Sequence, residues 1–323
     1  MRRSRSLNLG GAAVLVSRVA AIDCGTNSIR LLIADVTRNN SQNSFREVVR
    51  EMEIVKLGEG VDTTQKLSEA AVARTLSALE KFTIEIRRKG VERLRFCATS
   101  AVRDAQNRNI FLEPVKELLG LEPEVISGEE EARLSFLGAT HELHDSAAPI
   151  LVVDIGGGST EFVYGESEVK SAKSVNIGCV RMAERHLSQN PVEPGALARA
   201  ILDIDNAIEI AASQVPIRSA RTVVAVAGTA TTVAAAALGL DSYDRYAIHL
   251  SEISAESVER VASDLQRSSR DEIASLGFMH PGRVDVITAG ALILDRVMKA
   301  TGAGSFLASE RDILDGIAFS IAE

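Results

Sequence analysis

The sequence predicts an α/β protein built from two similar halves, and three observations carry that expectation. The segment Ile22-Asp23-Cys24-Gly25-Thr26-Asn27-Ser28-Ile29-Arg30 returns as Val153-Asp154-Ile155-Gly156-Gly157-Gly158-Ser159-Thr160-Glu161, an offset of 131 residues from Asp23 to Asp154. Phe96-Cys97-Ala98-Thr99-Ser100 returns as Val226-Ala227-Gly228-Thr229-Ala230 at the nearly equal offset of 130 residues from Thr99 to Thr229. Short apolar runs alternate with long amphipathic stretches along both halves, as two α/β domains require. Each half then carries an acid and a hydroxyl- and glycine-rich turn after a strand. Two such turns facing each other make a cleft suited to phosphate and a divalent metal.

The elements follow in order. Val19 to Asp23 and Leu31 to Val36 read as strands joined by the first glycine turn, and Glu51 to Leu57 as a third strand, with a polar loop from Arg38 to Ser44. Ser68 to Lys89 is an amphipathic helix with Val72, Leu76, Leu79, Phe82 and Ile86 at helical spacing, stopped by Gly90. Leu94 to Ala98 is a strand, Ile110 to Leu119 a helix weakened by Pro114, and Pro123 to Ile126 a short last strand. Ser127 followed by Glu130 forms a capping-box pattern that starts a helix running to about Leu143. The second half repeats the plan: strands at Ile150 to Ile155, Glu161 to Tyr164 and Thr222 to Ala227. Its helices are expected at Leu197–Val215, Ala255–Arg267, Val284–Thr301 and Arg311–Ala322, the last capped by Ser309 and Asp312. The division is therefore a first domain over 18–143, including the connecting helix, and a second over 144–323.

Composition bounds the function. A chain of 323 residues holds two proper cores, and 46% hydrophobic with 25% charged residues is an ordinary globular balance. A net charge of −8 argues against a general nucleic-acid binder. A polyanionic ligand would need local counter-charge from bound metal, helix N-termini and a few arginines. Cys24, Cys97 and Cys179, with no C-x-x-C spacing, favour a reducing cytoplasm and read as small core residues. No stretch reaches the roughly 18 apolar residues of a membrane span. Residues 1–17 imitate a signal peptide, with arginines before a short apolar run, but lack an A-x-A-like site. They are expected to be a disordered extension, or to follow from a start placed too far upstream.

Asp154 to Glu161 is the strongest motif. A strand delivers Asp154, then Gly156, Gly157 and Gly158 let backbone N–H groups approach an anion, and Ser159 adds a hydroxyl. Asp154 and Glu161 are hard oxygen ligands that suit Mg²⁺ beside phosphate. A tight turn between strands explains one or two glycines, not three flanked by acids. In the first copy, Gly25, Thr26, Asn27 and Ser28 are placed to donate to phosphate with Asp23 near metal. An Asx-type turn accounts for the same residues. Arg30 takes the position that Glu161 holds in the other half. Thr99, Ser100 and Arg103 are placed to bind phosphate oxygens or to cap a helix, and Gly228 and Thr229 form the matching turn. Glu129, Glu130 and Glu131 are explained as first-turn acids, and nothing in the residues alone selects Glu131.

These segments resemble the exopolyphosphatase / guanosine pentaphosphate phosphatase (Ppx/GppA) family, a branch of the sugar kinase–actin–heat-shock-70 superfold, and in particular its short actinobacterial type. The resemblance rests on Ala21 to Ser28, Ala98 to Arg103, Ile126 to Arg133 and Asp154 to Glu161, with weaker support from Arg283, Asp285, Gly290 and Ser309 to Gly316. It implies two duplicated ribonuclease-H-like domains with an interdomain cleft. It implies hydrolysis of the terminal phosphoanhydride of inorganic polyphosphate, dependent on Mg²⁺ or another divalent cation. Glu131 would orient or deprotonate the attacking water, with Asp154 and Glu161 also catalytic. Asp23, Asp154 and Glu161 would engage the metal, and the residues of both turns, with Arg30 and Arg103, would grip phosphate. Guanosine pentaphosphate hydrolysis, ATP hydrolysis or phosphoryl transfer on the same superfold, and a weakly active sensor stay open. So does a homodimer. Longer members carry C-terminal helical domains that this chain lacks, which puts processive handling of very long chains in doubt.

Overall fold

Val19, Ala20, Ala21 and Ile22 are all fully buried, as a central strand covered on both faces must be. They lie in β1 (Leu15–Cys24) of a computed structural model that describes residues 15–38 and 44–322. β1 pairs antiparallel with β2 (Ser28–Arg38), which pairs antiparallel with β3 (Ser44–Ile54). On its other side β1 runs parallel to β4 (Arg93–Ala98), which runs parallel to β5 (Glu124–Val125). The first sheet therefore has the order β3-β2-β1-β4-β5.

The second sheet is made of β6 (Ile150–Ile155), β7 (Thr160–Gly165), β8 (Val169–Val175), β9 (Thr222–Val226), β10 (Ser251–Ser254) and β11 (Ser305–Ala308), in the order β10-β11-β9-β6-β7-β8. From β8 to β11 it has the strand order of the first sheet and the same directions: antiparallel, antiparallel, parallel, parallel. β10 is an added antiparallel edge. Register matches as well, since Asp23 faces Arg30 across β1 and β2, and Asp154 faces Glu161 across β6 and β7. The duplicated ribonuclease-H-like arrangement expected of the chain is thus present in both halves.

Thirteen helices of the described chain complete the layers: α1 (Val61–Thr64), α2 (Glu69–Lys89), α3 (Ser100–Asp104), α4 (Asn109–Leu119), α5 (Gly128–Thr140), α6 (Cys179–Arg185), α7 (Pro194–Ala212), α8 (Ala227–Ala237), α9 (Arg245–Ile248), α10 (Ala255–Arg267), α11 (Arg270–Ser275), α12 (Ile287–Thr301) and α13 (Ile313–Ala322). α2 starts where Ser68 Oγ accepts from the Ala71 N–H and stops at Gly90, whose φ of 66° suits glycine. Phe82, Phe96 and Phe111 from α2, β4 and α4 anchor the outer core of the first sheet.

The inner faces are covered crosswise. Ala132, Phe136 and Ala139 of α5 pack on Val152 and Val163 of the second sheet. Ile313, Leu314 and Ile317 of α13 pack on Val19, Ala21 and Leu32 of the first. The segment after residue 144 therefore contributes its last helix to the first sheet. Among the described residues no helix is long and apolar enough to cross a membrane.

Several local expectations change. Leu15, Val16 and Ser17, expected in a disordered extension over 1–17, pair with Arg38, Thr37 and Val36, because the backbone ladder continues past the apolar run. Residues 1–14 lie outside the described residues, as do 39–43 of the expected loop. The third strand ends at Ile54 and begins at Ser44; as an edge strand rich in charge it lacks the apolar signature of the others. Ser127 Oγ accepts from the Glu130 N–H at 3.2 Å, but the Glu130 carboxylate pairs with Arg133 and Arg95, so only half of the capping box forms.

Candidate active site

The two copies of the repeated motif close identical turns. The Gly25 N–H donates to the Ser28 carbonyl at 2.9 Å, and the Gly156 N–H to the Ser159 carbonyl at 3.0 Å. The turns come from opposite lobes and touch. A Cβ on Gly157 would lie 2.8 Å from Thr26 Cβ, and one on Gly158 2.7 Å from Ser100 Oγ, so a side chain at either position would push Thr26 or Ser100 out of place. Thr26 Oγ1 and Ser100 Oγ share a hydrogen bond of 2.9 Å beside them.

Between the turns lies a cavity of about 120 Å³ lined from both lobes. Asp23 reaches it from the end of β1, Asp154 from β6 and Glu131 from the first turn of α5. Of the sequence-derived site residues, Gly25, Thr26, Asn27, Ser28, Arg30, Thr99, Ser100, Gly156, Gly157, Ser159, Gly228 and Thr229 also line it. Three do not. Gly158 faces the Thr26–Ser100 contact, and Arg103 stands behind Glu131, donating to its Oε2 at 2.9 Å and to the Ile126 carbonyl at 3.0 Å. Glu161 lies beneath the cavity, 1% exposed, accepting from Ser174 Oγ at 2.6 Å.

Several lining or supporting residues were not in the sequence-derived set. Arg283 lines the cavity and donates to Thr232 Oγ1 at 2.9 Å. Ser135 donates to Asp154, and Asp312 accepts from Arg30. Ser135 lies one helical turn beyond Glu131, so its spacing on α5 places it on the same face. Asp312 does cap α13, accepting from the Leu314 N–H at 3.0 Å, but its partnership with Arg30 spans most of the chain and leaves no local trace.

Burial dominates the electrostatics of the carboxylates gathered here. Burial, with the charges of Asp154 and Asp23, raises Glu131 to about 7 against the pull of Arg103. Burial and the Asp312 charge raise Asp154 to about 6. Burial pushes Glu161 well up, helped by Glu131 and Asp154. Burial also raises Asp23, opposed by the Arg30 bonds of 2.6 and 2.9 Å. Asp312 moves the other way: burial opposes it, but Arg30 and Arg50 hold it below the usual carboxylate range.

The donor set suits a hard divalent cation. Asp23 Oδ1 and Asn27 Oδ1 are buried without a hydrogen-bond partner, a cost that an incoming cation or donor would remove. Among the described residues no three His, Cys, Asp or Glu side chains close into a ready cage.

Comparison with known proteins agrees with this geometry. Residues 33–323 match the model of the Ppx/GppA phosphatase family. The chain is 44% identical over 316 residues to a protein named exopolyphosphatase 2 from Mycobacterium tuberculosis, covering 95% of this chain and 99% of that one. A crystal structure of an exopolyphosphatase-like protein superposes with a TM-score of 0.88 at 41% identity, covering 94% of this chain and 98% of its own. A Ppx/GppA family member from Aquifex aeolicus superposes with a TM-score of 0.78 at 28% identity, covering 94% and 97%. A guanosine-5'-triphosphate,3'-diphosphate pyrophosphatase from Photobacterium profundum is 36% identical over 211 residues, 65% of this chain and 41% of that protein. With duplicated lobes, paired glycine turns and a carboxylate-lined cleft between them, the chain belongs to the Ppx/GppA phosphatase family.

Proposed function

We propose that this protein is an exopolyphosphatase that hydrolyses the terminal phosphoanhydride of inorganic polyphosphate to orthophosphate with Mg²⁺ as cofactor. The observation that carries the reading is the convergence of Asp23, Glu131 and Asp154 from three separate elements on one small cavity between the glycine turns. Backbone N–H groups and hydroxyls of both turns hold the terminal phosphate and spread its negative charge. Glu131 aligns the attacking water, and at a pKa of about 7 it is poised to take its proton near neutral pH. Arg103 fixes the Glu131 carboxyl from behind. Asp23 and Asp154 are the residues that would hold Mg²⁺ from the cavity side, with Glu161 supporting from beneath. When bound, the ion would neutralise charge on the transferred phosphoryl and leaving phosphate.

A second substrate class is favoured by one feature. Beside Arg283 the cleft opens into a cavity of about 460 Å³ whose wall includes Met52, Tyr243, Phe278 and Met279. Such a surface accepts the nucleoside of guanosine pentaphosphate, in line with the name of the Photobacterium relative.

The test is phosphate release with Mg²⁺ from short polyphosphate, long polyphosphate, guanosine pentaphosphate and ATP, each with and without chelator. We expect release from polyphosphate, stopped by chelation. Glu131→Ala should lose turnover at least 100-fold and keep polyphosphate binding. Equal loss of binding and turnover would count against the water-orienting role, and release from ATP alone would replace the polyphosphate reading.

A further inference from the structure

Arg181 lies on α6, outside the cavity wall, with a side chain only 10% exposed. Its guanidinium bonds in three directions. Nε donates to the Gly158 carbonyl at 2.7 Å, Nη1 to Asp62 and Nη2 to Asp104 at 2.6 Å. Gly158 belongs to the triple-glycine turn of the second lobe. Asp62 and Asp104 sit on α1 and α3 of the first. One planar fork thus joins the phosphate turn of one lobe to two acids of the other.

Neighbouring contacts reinforce the join. Arg185 donates to both oxygens of Asp62 at 2.6 and 2.8 Å, and Glu184 accepts from the Gly60 N–H at 3.0 Å. Asp62 is held below the usual carboxylate range by the Arg185 bond first and the Arg181 charge after it. Behind the Thr26–Ser100 contact, the space walled by Gly58, Gly158 and Arg181 is about 10 Å³. That holds one water at most and no phosphoryl group. On the Arg283 side the cleft widens to about 460 Å³. The cleft is therefore blind at the α6 end and open at the other.

We propose that Arg181 is a positioning residue for the hydrolysis: through Gly158, Asp62 and Asp104 it sets the triple-glycine turn against the first lobe and seals the blind end where the terminal phosphate stops. This rests on the polyphosphate reading above. Arginine is required because three acceptors in different directions match a guanidinium fork and not an ammonium point charge. Because Arg181 does not face the cavity, its loss should leave substrate contacts intact and spoil the alignment of the turn.

The experiment compares wild type, Arg181→Ala and Arg181→Lys in steady-state phosphate release from polyphosphate, together with deuterium exchange of the free proteins. A misplacement of about 1 Å costs on the order of 100-fold in rate, so Arg181→Ala should lose kcat by roughly that factor with KM changed less than about threefold. Arg181→Lys should fold yet stay at least about tenfold down, and added guanidinium should restore part of the Arg181→Ala activity. Amides at 156–160 should exchange faster in both variants. Wild-type kcat in Arg181→Ala, full activity in Arg181→Lys, a rise in KM alone, or unchanged exchange at the turn would each overturn the proposal. A wild-type protein that releases no phosphate from polyphosphate would instead overturn the functional reading, and the exchange difference tells the two failures apart.

Discussion

Gly316→Ala tests whether the helix crossing under the cleft sets the site. α5 and α13 approach so closely that Gly138 faces the backbone of Asp312 and Gly316 that of Leu134. A Cβ on Gly316 would lie 2.7 Å from the Leu134 carbonyl carbon, and one on Gly138 2.7 Å from the Asp312 carbonyl carbon. The carbonyl oxygens of Leu134 and Asp312 lie closer still, and ordinary contact begins near 3.4 Å, so the added methyl forces the helices apart by more than about 1 Å. Cores are packed too densely to absorb this locally, and overpacking costs about 1–3 kcal/mol, with this backbone clash at the upper end. For a chain of this size we expect Tm to fall by about 5 °C. Function should suffer as well, because α5 carries Glu131 and Ser135 and the start of α13 carries Asp312, the partner of Arg30. We expect kcat to fall about tenfold or more. Gly304→Ala is the control: nothing lies within 4 Å of its Cβ position, and a change within about 0.5 kcal/mol is expected. Thermal unfolding and phosphate release on both variants decide the matter. A Gly316→Ala protein as stable and as active as Gly304→Ala would refute the crossing argument.

Two further outcomes concern stability. Burial works to raise Glu47, but hydrogen bonds from Arg245 and Arg50 bring its carboxyl down to about 2. Its stabilisation is complete above the unfolded value of 4.5 and fades as pH falls from there towards 2. Glu47→Gln should cost about 2 kcal/mol at pH 7 after allowing for partial exposure, and the gap to wild type should close as pH drops from 5 to 2. Parallel pH–stability curves would rule this out. Ala227 opens α8 at a φ of 66°, where a side chain is strained. Ala227→Gly should raise stability by about 1 kcal/mol, and a drop in Tm would show that the strain is absent.

Much of the site was legible because it is local. A strand, an acid, glycines and a hydroxyl fit within eight or nine residues, and repetition at one offset marked the pattern as meaningful. The same repetition foretold that Asp23 and Arg30 would occupy the positions of Asp154 and Glu161. Glu131 was not legible from physical rules, because an acid in the first turn of any helix is already stabilised by the helix dipole. Only the family resemblance singled it out. α6 escaped notice because seven residues give too few turns for a periodic signal, and Arg181 went with it. The crossing of α13 onto the first sheet was invisible for another reason. Periodicity tells which face of a helix is apolar but not which of two similar sheets will receive it, and that choice rests on contacts such as Ile317 with Val19 and Leu32, nearly the whole chain apart.

The charge pattern left by the duplication bears on how a polyanion enters. In the first lobe the acid faces an arginine, Asp23 against Arg30, and Asp312 shares the same guanidinium. In the second lobe acid faces acid, Asp154 against Glu161, with Glu131 close by. Arg30 is thus already engaged by two carboxylates, and Arg103 by Glu131. Arg283, bonded to a threonine hydroxyl, faces the cleft with less of its charge spent. A cleft so weighted towards carboxylates repels phosphate unless positive charge arrives with it. Burial first, and the neighbouring carboxylates after it, raise the carboxyls of Glu131 and Asp154. On the reading proposed above, a divalent cation held by Asp23 and Asp154 would supply that positive charge. The acid-over-acid pairing of the second lobe is where such a cation would be needed most, whereas the acid-over-arginine pairing of the first lobe already carries part of its own counter-charge.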